Sequence, residues 1–114
     1  MAVLDLEYLK RIVGDDPAFL RQVLQIFIRN TPQDMSALAE SMNKGSHEQV
    51  SFYAHKLKSA AGAIGYKQAY EDFKELEAMS RELCPMEDIK VKVEKLSAEC
   101  MSCMVDIEGI MNSL

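Results

Sequence analysis

The stretch MEDIKVKVEKLSAECMSCMVDIEGIMNSL, residues 86–114, places apolar side chains at Ile89, Val93, Leu96, Cys100, Cys103, Ile107, Ile110 and Leu114. The steps are four, three, four, three throughout. All eight positions therefore fall on one side of an α-helix, as a seam over more than about three heptads. A seam of that length must be covered by other helices.

The same period recurs upstream, broken at a few points by turn residues. A first helix is predicted from about Leu4 to Val13, with Leu6, Leu9, Ile12 and Val13 apolar. Gly14-Asp15-Asp16-Pro17 ends it. Asp16 suits an N-cap and Pro17 the first helical position. The second helix then runs to about Asn43, burying Leu20, Val23 or Leu24, Phe27, Thr31, Met35, Leu38 and Met42. Pro32 inside it should produce a kink near Thr31. Lys44-Gly45-Ser46 forms the next junction. Gly45 fits the left-handed position after a helix, and Ser46 with Gln49 makes a capping box. The third helix buries Val50, Ala54, Leu57, Ala61 and Ile64 and stops at Gly65. The fourth, from about Tyr66 to Leu83, buries Ala69, Phe73, Leu76, Ser80 and Leu83, and Cys84-Pro85 breaks it. Strand-like alternation and internal repeats are not evident. The pattern predicts an all-α fold: an antiparallel four-helix bundle, up-down-up-down, with a short N-terminal helix capping one end.

Composition agrees. With 114 residues, 48% of them hydrophobic and 27% charged, residues 1–114 read as a single domain with one core. Only 5 Gly and 3 Pro are present, against broad disorder. No apolar run approaches the roughly 18 residues of a membrane span, and the N-terminus does not read as a signal peptide. The net charge of −5 argues against nucleic acid as a partner, since duplex binders carry a basic excess. Three Cys without an export signal point to a reducing, cytoplasmic setting. One bundle can bury all these seams, so a monomer is expected.

Two histidines are candidates for chemistry. His47 opens the third helix and reads as a solvated helix-start residue. His55 points roughly 140° away from the centre of the buried face, at about 100° per residue. Ser51, Ser59 and Gly62 share its side of the helix and are all small, which leaves the imidazole clear and lets another backbone approach. Gly62 costs roughly 1 kcal/mol relative to Ala in a helix interior, so it needs a reason, and a close partner is one. Lys58, three residues on, lies within reach of His55. Its ammonium favours the neutral, nucleophilic imidazole and is able to pair with a phosphoryl group afterwards. An exposed His beside an incidental Lys remains the plain alternative.

Ala54-His55-Lys56-Leu57-Lys58-Ser59-Ala60-Ala61-Gly62-Ala63-Ile64-Gly65 resembles the signature of histidine-containing phosphotransfer (HPt) domains, roughly His-x-Leu-Lys-Gly with a later Gly. The likeness extends to Gly14–Leu20 and the helices on either side. It implies a four-helix bundle in a phosphorelay. His55 would accept a phosphoryl group, most often through Nε2, from the aspartyl-phosphate of one receiver domain and pass it to an aspartate of another. Lys58 matches the family lysine that stabilises the phosphoryl group, and Gly62 and Gly65 match its small positions. Ser59 stands where Gly is usual; it is still small and is placed to donate a hydrogen bond to the phosphoryl group. The resemblance implies a carrier rather than an enzyme, with no cofactor of its own, the Mg²⁺ belonging to the receiver. The implied partners are response-regulator receivers and a hybrid sensor histidine kinase, met through Ser51, Phe52, Ser59 and Gly62. Phe52 is about 60° from His55 and is the aromatic anchor; Tyr66 and Tyr8 are weaker ones. Glu77 on the adjacent helix is within reach of His55 and able to orient its ring; a solvated charge is the alternative.

Cys100 and Cys103 fall on the apolar seam and read as core, because zinc needs about four convergent ligands. Cys84 is expected in a partly exposed loop. The 8 Met read as gap-fillers, Asp15-Asp16 as a cap, and no Gly-rich loop is present to hold ATP. The competing functions are a degenerate HPt-like bundle that only binds partners, a structural bundle dimerising through the last helix, and a redox or metal bundle built on Cys100 and Cys103.

Overall fold

The computed structural model describes residues 4–114, and helices account for nearly all of it. They are α1 (Leu6–Val13), α2 (Pro17–Asn43), α3 (His47–Ala63), α4 (Lys67–Arg81) and α5 (Met86–Ser113). The four long ones close a ring in which α3 packs on α2 and α4, and α5 packs on α4 and α2. The body measures 44 × 22 × 21 Å, the proportions of a helical bundle with a cap at one end.

Local signals start the helices where the sequence places them. Asp16 accepts from the Ala18 N–H with Pro17 next, and Ser46 accepts from the Gln49 N–H. The first helix begins at Leu6 rather than Leu4 because Asp5 is its N-cap, taking the Tyr8 N–H at 2.9 Å. Pro32 sits inside an uninterrupted α2. The core is the anticipated set of stripes: Leu20, Leu24, Phe27, Leu38, Val50, Ala54, Leu57, Phe73, Leu76, Ile89, Val93, Leu96 and Ile107 are all buried. Leu9 of α1 joins it, and Asp5 N–H bonds the Gly65 carbonyl, which ties the cap to the α3–α4 turn. Ile110 and Leu114 lie partly buried at the far end of the α5 seam.

Two residues depart from the reading of the fourth helix. Tyr66 precedes α4, and its ring is buried against Phe27 with its hydroxyl on Cys103 Sγ, so it is core and not a docking residue. Leu83 lies beyond the helix with φ +58°, and this left-handed turn swings its side chain out of the stripe to 69% exposure. Cys100 and Cys103 are buried as expected; burial first, then neighbouring charge, pushes the Cys100 thiol up to about 12. Burial raises Cys103 too. Protonated thiols are poor nucleophiles and poor metal ligands. Among the described residues no cluster of His, Cys, Asp and Glu is arranged for a metal ion, and no helix is long and apolar enough to cross a membrane.

Candidate functional site

The buried stripe Val50, Ala54, Leu57 and Ala61 fixes the rotation of α3 and so turns His55 outward. Its side chain is 57% exposed. From α4, Glu77 reaches it: Oε2 lies 3.0 Å from His55 Nδ1, and Oε1 lies 2.8 Å from Lys58 Nζ. Arg81, one turn further on α4, brings Nη2 to 2.7 Å from the same Oε2. One carboxylate thus joins the histidine, the lysine and an arginine.

Glu77 is 95% covered, since its side chain is only 5% exposed, so the solvated-charge alternative does not hold. Position 77 adjoins the α4 core stripe of Phe73, Leu76 and Ser80, which buries it, and His55 and Lys58 of α3 with Arg81 of α4 supply the partners a buried carboxylate requires. Burial alone would raise its pKa. Hydrogen bonds from Lys58 and His55 and the charges of Lys58 and Arg81 outweigh that, and the carboxyl is held below its ordinary 4.5. An ionised carboxylate only accepts hydrogen bonds, so His55 donates from Nδ1, which in the neutral ring puts the lone pair on Nε2. Lys58 is not a free ammonium beside the imidazole, as the sequence suggests; its side chain is 19% exposed and already bonded to Glu77. Two of its three N–H groups remain for another acceptor.

The small residues take different parts. Ser59 is exposed one turn past His55. Ser51 is half-buried and accepts from Arg81 Nε at 3.4 Å. Gly62 has a reason inside the fold: a Cβ there would stand 3.1 Å from the Tyr70 ring. Gly65, at φ +77°, lies under the ring of Tyr8, where a Cβ would come to 2.6 Å. Tyr8, Gly62, Gly65 and Tyr70 line a cavity of about 540 Å³ beyond the small stripe. Phe52 is 62% exposed, edge-on to Tyr53 with centroids 5.0 Å apart. A second hollow of about 250 Å³, between α2 and α3, has Ile26, Lys56 and Ala60 in its walls.

His47 is not simply solvated. Its Nε2 lies 2.7 Å from the Cys84 carbonyl oxygen and pins the α4–α5 turn to the start of α3. Arg81 and this turn are the parts of the site that sequence reasoning missed. The i,i+4 spacing of Glu77 and Arg81 was the available signal for the first; the second links residues 37 apart and had none.

A family model described as Hpt domain matches residues 22–102. Among solved structures, the chain resembles the HPT domain from an Hpt sensor hybrid histidine kinase of Shewanella. The TM-score is 0.84 at 14% sequence identity, covering 98% of this chain and 96% of that one. At that identity the likeness speaks for the fold alone. No curated protein matches the chain at a significant level.

Proposed function

The chain belongs to the Hpt domain family, and we propose that it is a phosphorelay carrier in which His55 Nε2 receives a phosphoryl group from a receiver domain's aspartyl-phosphate and returns it to another receiver's aspartate. The observation that carries this is the Glu77 bond to Nδ1, which leaves the exposed His55 with its nucleophilic lone pair at Nε2.

The step balances without help from other groups of this chain. The Nε2 lone pair forms the N–P bond while the P–O bond to the partner's aspartyl carboxyl breaks, and that carboxylate leaves with the electron pair. The proton on Nδ1 stays where it is, so the ring becomes positively charged as the bond forms. Glu77, 3.0 Å away, faces that charge and acts as a positioning residue for the ring. Lys58 has N–H groups for the phosphoryl oxygens, and Ser59 adds a hydroxyl beside them. Transfer of this kind depends on positioning and charge neutralisation, so a rigid helix bearing an exposed imidazole is sufficient from this side. Metal chemistry is assigned to the receiver, which would supply its own Mg²⁺ to offset the charge on the phosphoryl group. The partners are receiver domains, including that of a hybrid sensor kinase. The chain acts as a monomer in the cytoplasm.

The test is phosphoramidate treatment of the protein and of His55→Gln, read by intact mass, acid lability and site mapping. Next, phosphorylated protein is mixed with a panel of receiver domains. One acid-labile phosphoryl group on His55, absent in the variant and passed to a receiver, is the expected result. Modification at His47 alone, or none while another HPt domain reacts, would refute the proposal.

A further inference from the structure

Three helices of the bundle end in the same turn. After α2, Gly45 N–H bonds the Met42 carbonyl and Ser46 N–H that of Ser41; after α3, Gly65 bonds Gly62 and Tyr66 bonds Ala61; after α4, Leu83 bonds Ser80 and Cys84 bonds Met79. The central residue is left-handed each time, with φ +71°, +77° and +58°. Glycine fills the first two, as that backbone favours. The third holds leucine, which is strained there and gains no burial, since it is 69% exposed. The turn is also held firmly, because the next residue, Cys84, receives the His47 hydrogen bond. The fold therefore presents an apolar side chain outward from a backbone position where glycine would serve the fold better, and strain kept at an exposed position points to function.

Its surroundings say what it meets. Leu83 borders a hollow of about 260 Å³ whose other walls include His47, Ser51, Ser80 and Arg81. Ser51 stands four residues before His55, about 6 Å along the helix at 1.5 Å per residue. A partner that brings an aspartate to His55 covers about 800 Å² of this surface, a disc of roughly 16 Å radius. A disc of that size centred on His55 takes in the hollow.

We propose that Leu83 is a docking contact for the receiver domain that exchanges phosphoryl groups with His55, meeting an apolar side chain of the receiver over the His47–Ser51–Arg81 hollow. This rests on the carrier function proposed above. It places a recognition element on the α4–α5 turn, apart from the residues that touch the phosphoryl group.

Leu83→Gly and Leu83→Asn separate docking from folding, because both replacements suit the left-handed turn. Both variants should melt no lower than the wild type, with Leu83→Gly higher by about 2–4 °C. Uptake from phosphoramidate reports the His55 chemistry. Transfer from phosphorylated protein to a receiver that accepts from the wild type, and the Kd of the unphosphorylated pair, report docking. The expected result is transfer at subsaturating receiver slowed, and binding weakened, by about fivefold or more in both variants. Unchanged transfer and Kd with such a receiver would overturn the proposal. If the wild type takes up phosphate on His55 but passes it to no receiver in the panel, the carrier function falls and the Leu83 contact with it.

Discussion

Replacing Glu77 with Ala removes a carboxylate that serves three partners, and the three bonds differ in worth. The Arg81 side chain is 67% exposed, so its pair contributes about 0–1 kcal/mol. The Lys58 side chain is 19% exposed, and losing a charge-assisted bond in that drier place costs about 1.5–3 kcal/mol. The bond to His55 adds about 1 kcal/mol. Removing Glu77 also relieves the desolvation of the carboxylate itself, which offsets part of the total. A net loss of about 2–4 kcal/mol follows for Ala. Glu77→Gln keeps the volume and an acceptor for His55 but not the charge, and should lose about 1–2 kcal/mol. For 114 residues the unfolding entropy is about 0.24 kcal/mol/K, so Ala should lower the Tm by about 8–16 °C and Gln by about 4–8 °C. Urea and thermal unfolding at pH 7 measure this. A double-mutant cycle with Lys58→Met should return a coupling of about 1.5 kcal/mol or more. The rate of phosphoramidate uptake at His55 should fall more in Ala than in Gln, since Gln still offers Nδ1 an acceptor. Melting within about 2 °C of the wild type for both variants, with no coupling and unchanged uptake, would show that the carboxylate neither anchors the cations nor positions the ring.

Three further outcomes follow from the same geometry. Because the Glu77 pKa is lowered in the folded state, its contribution is present above the ordinary value of 4.5 and lost as pH falls through the lower folded value. The stability difference between wild type and Glu77→Gln should thus be flat above about pH 4.5 and shrink below it, as urea titrations across pH 3–7 will show. Gly65→Ala forces a Cβ to 2.6 Å from Tyr8 at φ +77° and should cost about 1–3 kcal/mol, whereas Gly62→Ala meets only the Tyr70 ring at 3.1 Å, gains helix propensity, and should stay within about 0.5 kcal/mol of wild type; chemical denaturation separates the two. Lys58→Ala should still take up phosphate on His55 but lose it to water several-fold faster, with Lys58→Arg restoring most of the lifetime, read as the decay of the acid-labile mass.

The helices were legible because their punctuation is local: Asp16-Pro17, the Ser46 cap and Gly45 each act within a few residues. The buried stripes followed from spacing, and so did the outward turn of His55. Glu77 was ambiguous for a physical reason. Its position beside Phe73 and Ser80 suggests burial and its charge suggests solvent, and Lys58 across on α3 together with Arg81 one turn on resolves that conflict. Leu83 kept the helical period yet left the stripe, because nothing in a leucine announces a left-handed turn. Gly62 looked like an opening for a partner; a ring from α4, eight residues on, already lies against it.

Charge around His55 shows why a carrier would keep this cluster. At rest Lys58 and Arg81 are positive, Glu77 is negative, and a neutral ring leaves the site with one positive charge. Phosphorylation at Nε2 makes the ring positive and brings a phosphoryl group of about −2, a net change of roughly −1. The site is then close to neutral. Without Lys58 it would end with an unbalanced negative charge, repelling the phosphoryl oxygens from Glu77 at close range. Without Glu77 the positive ring would face two cations. Each charge therefore matters most at a different stage, Glu77 while the ring is oriented and gains its positive charge as the N–P bond forms, and Lys58 once the phosphoryl group is in place. It follows that Glu77→Gln should act mainly on the rate of loading and Lys58→Ala mainly on the lifetime of the phosphohistidine. Equal effects of both substitutions on both quantities would contradict that division.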